Sequence, residues 1–378
     1  MSKLRVGVIG LGEVAQVIHL PVLESLPDKF EIAAVCDISP SLLATVGDRY
    51  GVPGRYADSA DLLRSEQLDG VLVLNSDEYH AECAVNALER GVNVFVEKPM
   101  CLSPREAEAI IAARDKSDGA QVMVGYMRRF APAFLEAKEQ LASLGPVNYV
   151  RVHDIIGKNQ LIIDQMWNVH RPGDIPEAMV ADKWERASKL VQEALGSVPD
   201  ELAWTYRLLC GLGSHDLSAM RELFGKPKRV LAARQWRSAS FVTALFEYDD
   251  FVATYETGVD DQVRFDAHIE VYGQSAQLRI QYDTPYVRHF PTTVVVERTN
   301  GDALERSVSR PHLKDPYTAE LEYFHAMVTE GFAPKTTPED FVEDLALFAE
   351  MIKMMAASAE DGSYVETEHT PTDTDETR

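Results

Sequence analysis

Lys98 stands at the end of an apolar run. In "NVFVEKPMCLS", residues 93 to 103, Val94, Phe95 and Val96 lead into Glu97-Lys98-Pro99. A run without alternation suits a strand buried on both faces of a parallel sheet. The carboxyl end of such a strand borders the crevice where these sheets bind ligands. A lysine there can take a hydroxyl proton if burial and nearby positive charge lower its pKa. Alternatively it donates a hydrogen bond to a developing alkoxide. Glu97 either orients the lysine or forms a structural ion pair with it.

A second chemical segment lies at the N-terminus. The run "LRVGVI" (4–9) enters "GLGEVA", Gly10 to Ala15, which matches G-x-G-x-x-G/A. Gly10 permits a tight turn, Gly12 lets the backbone approach a pyrophosphate, and Ala15 allows close helix–strand packing. Glu13 and Val14 complete the loop at the helix start, where free N–H groups and the helix dipole favour an anion. Asp37 closes the next apolar run. A carboxylate there accepts hydrogen bonds from ribose hydroxyls and repels a 2′-phosphate, which favours NAD over NADP.

These residues need a sheet to hold them. Apolar runs at 4–9, 31–37, 69–75, 93–98 and 121–126 alternate with helical patterns near 13–26, 40–50, 58–66, 79–90 and 104–117. That alternation predicts βαβ units with right-handed crossovers. After residue 126 the pattern changes. A helix over 131–144 leads to a strand at 147–156, and a long polar insert, about 157–205, contains a helix over 176–195. From 228 to 298 several β-type runs separated by turn residues predict a meander of antiparallel strands. Helices over 316–330 and 338–357 follow. The expected class is α/β, with a Rossmann domain over 1–126, an α/β domain with a large open, mainly antiparallel sheet over 127–358, and an acidic flexible tail over 359–378.

With Glu97-Lys98-Pro99 in place, the chain resembles the glucose–fructose oxidoreductase/inositol dehydrogenase (Gfo/Idh/MocA) family. The glycine loop, "NSDEYH" (75–80), "VEKP" (96–99) and "VGYMRRF" (124–130) stand in the family's order, and the C-terminal helices are similar to the family's. The resemblance implies hydride transfer between a nicotinamide cofactor and a carbon of a sugar, cyclitol or related polyol. It also implies a cis Lys98–Pro99 bond and a homo-oligomer formed through the open sheet. Asn75 and Ser76 stand where the family places a Thr-Pro pair lining the cofactor. His80 either contacts the cofactor edge or caps the next helix.

The family's second site segment resembles "LLCGLGSHDLSAMRELFG" (208–225). Gly213 and His215 fit its pattern, and His215 is the implied acid/base partner of Lys98. The usual Asp position is Gly211, which leaves the family's proton relay without its carboxylate. Asp216 is adjacent to His215, but i and i+1 do not share a helix face. In "VRVHDIIG", alternation sends either His153 or Asp154 toward the cleft. Tyr126 and Arg129 are placed to meet substrate or cofactor, although Arg129 is equally suited to a hinge salt bridge. The insert reads as a lid over the sugar pocket, with Trp167 as a stacking face and His170 or Arg171 as polar contacts, or as an oligomer contact.

Composition narrows the remaining classes. The formal net charge of −23 disfavours nucleic acid or anionic lipid as a partner. No apolar run reaches the roughly 18 residues of a membrane span. The four cysteines form no C-x-x-C pair and no metal-ligand spacing, so reduced thiols, a cytoplasmic location and no metal are expected. Two further readings stay open. One is an enzyme that retains NAD and uses transient oxidation for elimination or glycoside cleavage. The other is an NAD-binding sensor without turnover.

Overall fold

The computed structural model describes residues 3–360. The tail expected over 359–378 lies, except for its first two residues, outside the described residues. Six parallel strands form the first sheet: β1 (Leu4–Ile9), β2 (Phe30–Cys36), β3 (Gly54–Tyr56), β4 (Gly70–Val73), β5 (Asn93–Glu97) and β6 (Val122–Gly125). They lie in the order β3-β2-β1-β4-β5-β6. Helices α1 (Leu20–Ser25), α2 (Pro40–Arg49), α3 (Ser59–Ser65), α4 (His80–Leu88) and α5 (Pro104–Lys116) lie between these strands in the chain. The order reverses between β1 and β4, which opens a crevice above their carboxyl ends. Side-chain caps start several helices sharply. Ser39 Oγ accepts from Leu42 N ahead of Pro40, and Ser103 Oγ accepts from Glu106 N ahead of Pro104.

The second sheet has eight strands: β7 (Val147–Gly157), β8 (Arg229–Trp236), β9 (Phe241–Glu247), β10 (Val252–Asp260), β11 (Phe265–Gly273), β12 (Gln277–Tyr282), β13 (Thr293–Asn300) and β14 (Ala303–Ser309). Their order is β14-β13-β12-β11-β7-β10-β9-β8, so the expected simple meander is corrected. β7 separates β10 from β11 and runs parallel to β10, from Val252 opposite Tyr149 to Asp260 opposite Gly157. β7 is the longest strand, and the central place satisfies its backbone on both edges. β14 extends the sheet beyond the last run read as a strand. It is an exposed edge strand whose charged residues, Glu305 and Arg306, discourage pairing with another chain.

The remaining helices are α6 (Pro132–Gln140), α7 (Gln160–Met166), α8 (Glu177–Leu195), α9 (Asp200–Leu208), α10 (Ser214–Phe224), α11 (Pro316–Glu330) and α12 (Pro338–Glu360). α6, α10 and α12 cover the inner face of the large sheet. Period-2 alternation along β7 sends Val150, Val152 and Asp154 inward and leaves Tyr149, Arg151 and His153 on the outer face. α11 returns to the first sheet, where Phe324 meets Phe95 edge-to-face at 5.9 Å between ring centroids. All four cysteines are buried and unpaired with one another. No helix among the described residues is long and apolar enough to cross a membrane.

A buried ionic network fastens the end of β6 to α10 and α12. Arg129 pairs with Glu222 and Asp340, Arg221 pairs with Asp340 and Asp344, and Tyr126 donates its hydroxyl hydrogen bond to Asp344. Removing one partner of such a network strands a buried charge. Asp344→Ala is therefore expected to lower stability by about 3–5 kcal/mol. Urea unfolding checks this, with the midpoint falling at unchanged slope.

Candidate active site

The crevice at the β1/β4 switch point continues between the two sheets as a cleft of about 500 Å3, within the range of small-molecule sites. Lys98 reaches it from the end of β5, across the cis Lys98–Pro99 bond. Its Nζ donates to the Gly211 carbonyl at 2.7 Å. Gly211 lies in a π-helical turn, Leu209–Gly213, between α9 and α10, a local distortion common at functional sites. Where the family pattern has a carboxylate, this chain offers the lysine a peptide oxygen. Burial, its largest influence, pushes the Lys98 pKa down; Glu97 and Asp77 oppose that push and Arg128 adds to it.

Glu97 bonds the backbone of Lys98 and the ring of His19. Its Oε1 meets His19 Nε2 at 2.7 Å, and its Oε2 accepts from the Lys98 backbone N–H at 3.0 Å. Burial alone would raise the Glu97 carboxyl, but the His19 bond and the neighbouring charges hold it below its ordinary value. Glu97 thus fixes the backbone that carries Lys98.

His215 enters the cleft from the first turn of α10. Burial pushes its pKa well below 6.5, and the nearby Lys98 and Arg128 charges push the same way, so the ring is neutral at pH 7. Its Nδ1 is buried without a hydrogen-bond partner. At Gly213, two residues earlier, space is tight: a Cβ there would sit 2.7 Å from the hydroxyl of the buried Tyr255, which would have to shift. At Gly211 a Cβ would meet nothing within 4 Å.

Asp216 leaves the cleft face that His215 occupies, as i, i+1 geometry requires, but it is far from idle. It forms an ion pair with Arg128, whose Nη2 also donates to Asp154 Oδ2 at 3.0 Å. The guanidinium lies over the Tyr282 ring at 5.1 Å and lines the cleft. Burial raises the Asp216 carboxyl well above its ordinary value despite Arg128, and Asp154 adds to the rise.

The dinucleotide end is equally specific. Gly10 has φ +93°, and a Cβ there would lie 2.3 Å from Asn75 N. Around Gly12 a Cβ would meet nothing within 4 Å, which leaves the backbone approachable. Asp37 Oδ2 accepts from Leu11 N at 2.8 Å and Oδ1 from Ser39 N at 2.9 Å. Burial raises its carboxyl despite these bonds. Val14, Asn75 and His80 line the cleft, and Asn75 Oδ1 is buried without a partner. His80 ties the turn after β4 to the lysine's turn, with its ring nitrogens 2.8 Å from the Asn75 and Pro99 carbonyls. The open glycine cradle, the ribose-side carboxylate and the orphaned amide oxygen suit a nicotinamide dinucleotide.

Several expected site residues lie elsewhere. Tyr126 and Arg129 belong to the buried network under α12, and Ser76 donates its hydroxyl to Glu78. His153 is on the outer face of the sheet, stacked on His268 at 4.8 Å and bonded to Glu256, because strand alternation gives the inner face to Asp154. Trp167 donates to the Tyr286 carbonyl, and His170 and Arg171 lie against Gln16, Ser41 and Glu13. His170 and Arg171 therefore lie over the dinucleotide loop, whereas Asn159, at the start of the insert, lines the cleft with Lys98. Asp77, Arg207 and Arg128 line the cleft and were not singled out. Asp77 accepts from Arg207 at 2.9 Å. Burial would raise its carboxyl, but Arg207 and further hydrogen-bonding and charged neighbours hold it below its ordinary value. The signal for Asp77 was its place in "NSDEYH", beside residues already chosen.

The room at Gly211 makes a test. Gly211→Asp is expected to fold with stability within about 1 kcal/mol of the parent. The new carboxylate should raise the Lys98 pKa, read as slower modification of Lys98 by an amine reagent at fixed pH.

Comparison with known proteins agrees with this geometry. Residues 4–126 match the family model described as "Oxidoreductase family, NAD-binding Rossmann fold". A myo-inositol 2-dehydrogenase of Thermotoga maritima is 28% identical over 361 residues, covering 89% of this chain and 92% of that protein. The inositol 2-dehydrogenase of Salmonella typhimurium is 30% identical over 141 residues, and the match spans 42% of its length and 37% of this chain. The solved structure of a myo-inositol 2-dehydrogenase from Lactobacillus plantarum superposes with a TM-score of 0.71 at 19% identity, over 96% of this chain and 98% of that one, and shares its fold. With the glycine loop, the lysine at the end of β5 and the two-sheet architecture in place, residues 4–126 form the NAD-binding Rossmann domain of the Gfo/Idh/MocA oxidoreductases, and the whole chain is similar to their inositol dehydrogenases.

Proposed function

We propose that this protein is a nicotinamide-dependent oxidoreductase that moves a hydride between NAD(H) and a ring hydroxyl or ketone of a sugar, glycoside or cyclitol. The observation that carries the reading is Lys98 Nζ in the cleft, its pKa lowered by burial, beside the neutral ring of His215. The inositol dehydrogenase relatives support the substrate class.

Gly10, Gly12 and Ala15 would hold the pyrophosphate, Asp37 the ribose, and Asn75 the nicotinamide end. The bound cofactor supplies the hydride acceptor or donor. Lys98 takes the hydroxyl proton during oxidation, and the Gly211 carbonyl keeps its Nζ aimed into the cleft. His215, neutral at pH 7, shares or relays that proton. Arg128 sets the positive potential that favours an alkoxide over its alcohol. The same groups serve reduction in reverse. We further propose that copies of the chain associate through the outer face of the large sheet, where half-buried charged pairs such as Arg151–Glu256 stand, and that the protein is cytoplasmic. Sedimentation with and without a charge reversal at Glu256 tests the association.

A polyol panel with NAD⁺ should give stoichiometric NADH for at least one ring polyol. Product without net NADH would instead indicate transient oxidation, and binding without turnover a sensor. Lys98→Ala should cut kcat by about 10²–10⁴-fold; full kcat in that variant would sink the assignment.

The expected pH profile follows from the direction of the shift. The oxidation needs Lys98 deprotonated, so kcat should rise with pH. Because the lysine's pKa is lowered, the limb should lie below 10.5. His215 is depressed well below 6.5 and contributes no limb above neutrality. Loss of the limb in Lys98→Ala is the check.

A further inference from the structure

The segment between α7 and α8 lies across the dinucleotide end of the first sheet. Gln16, nearly fully buried in the helix after the glycine loop, grips the backbone of His170 from both sides. Its Oε1 accepts from His170 N at 2.9 Å, and its Nε2 donates to His170 O at 3.0 Å. Arg171 pairs with Glu13 of the glycine loop at 2.9 Å. Asp174 then reaches the start of α2. Its Oδ1 accepts from Ser39 Oγ at 2.5 Å and Ser41 Oγ at 3.0 Å, and its Oδ2 accepts from Ser41 N at 2.8 Å.

Those three donors form an anion cradle. Two serine hydroxyls and a first-turn amide, at the positive end of a ten-residue helix, are the groups that bind phosphates elsewhere. The cradle adjoins Asp37, the ribose-side carboxylate, which bonds Ser39 N directly. A phosphate on the 2′-oxygen of a ribose held by Asp37 would fall to these same donors. Instead a carboxylate from a distant insert fills them. The Ser39 bond and its companions hold the Asp174 carboxyl below its ordinary value, so the anion persists to low pH.

We propose that Asp174 is a built-in occupant of the 2′-phosphate position and a determinant of the preference for NAD over NADP. This rests on the nicotinamide reading above and adds to it. Asp37 discriminates by repulsion alone, whereas Asp174 discriminates by occupancy. A 2′-phosphate must displace the Asp174 carboxylate and so detach the strap from α2. NAD, with two free ribose hydroxyls, leaves the strap closed.

Equilibrium binding of NAD⁺, NADP⁺, 5′-AMP and 2′,5′-ADP by calorimetry tests this without any substrate. The parent protein should bind the forms lacking the 2′-phosphate more tightly. Asp174→Ala, at an exposed position, should narrow the NAD⁺/NADP⁺ affinity ratio by about tenfold, the scale of one charge-assisted contact, and narrow the 5′-AMP/2′,5′-ADP ratio in parallel. Arg171→Ala loosens the strap but keeps the Asp174 carboxylate, so it should leave both ratios unchanged. Unchanged ratios in Asp174→Ala, with NAD⁺ still bound, would overturn the role of Asp174 and spare the nicotinamide reading. An equal shift in Arg171→Ala would also overturn it, because strap anchoring rather than the Asp174 anion would then be responsible. Failure of the parent to bind any of the four ligands would remove the nicotinamide reading and the Asp174 proposal together.

Discussion

One guanidinium holds the two halves of the site in register. Arg128 leaves the first sheet just after β6, crosses to Asp154 on β7 and meets Asp216 on α10. The residue before Asp216 is His215, and the turn before α10 carries the carbonyl that receives Lys98. Strand end, second sheet and helix are thereby tied within one hydrogen-bonded cluster. Taking three charges out of water is costly unless each has a partner. The rings of Phe265 and Tyr282 close over the guanidinium. Motion of α10 relative to β6 and β7 would break this pairing, so the placing of His215 beside the strand ends follows from electrostatic necessity as much as from packing.

Most of the first sheet was legible because each of its long strands is a local apolar run and each crossover a helical period. β3 escaped because three residues, "GRY", carry no period. The place of β7 was hidden for a different reason. Pairing between strands a hundred residues apart is a tertiary choice, and no local pattern announces it. The same limit separated Arg128 from Arg129. They are neighbours in a short 3₁₀ turn, Met127–Phe130, and only the surroundings decide which guanidinium meets the cleft. His153 and Asp154 posed a two-way choice that alternation defined and the packing of α10 resolved. The insert's length and its polar and aromatic residues suit a lid or an oligomer contact. Its target depended on Gln16, Ser39 and Ser41, residues that look like ordinary helix starts in the sequence.

The departure at Gly211 changes the electrostatics around Lys98 without emptying them. A peptide carbonyl holds the ammonium group in direction but adds no full charge, so burial has freer effect on the lysine. Negative charge is supplied without a direct bond to the ammonium group, first by Glu97 and then by Asp77, which is itself engaged by Arg207. Direction comes from a dipole and potential from charges farther away.

The buried cysteines have a consequence of another kind. Cys36, Cys83, Cys101 and Cys210 sit inside the first sheet's layers and at the joint with α9, and burial raises every one of these thiols above its usual range. Thiolate is the species that oxidants and alkylating agents attack, so the closed protein offers them no foothold. The first such damage would follow an opening of the fold. In this molecule sulfur chemistry keeps time with breathing of the core, and chemical ageing and conformational loss become the same event.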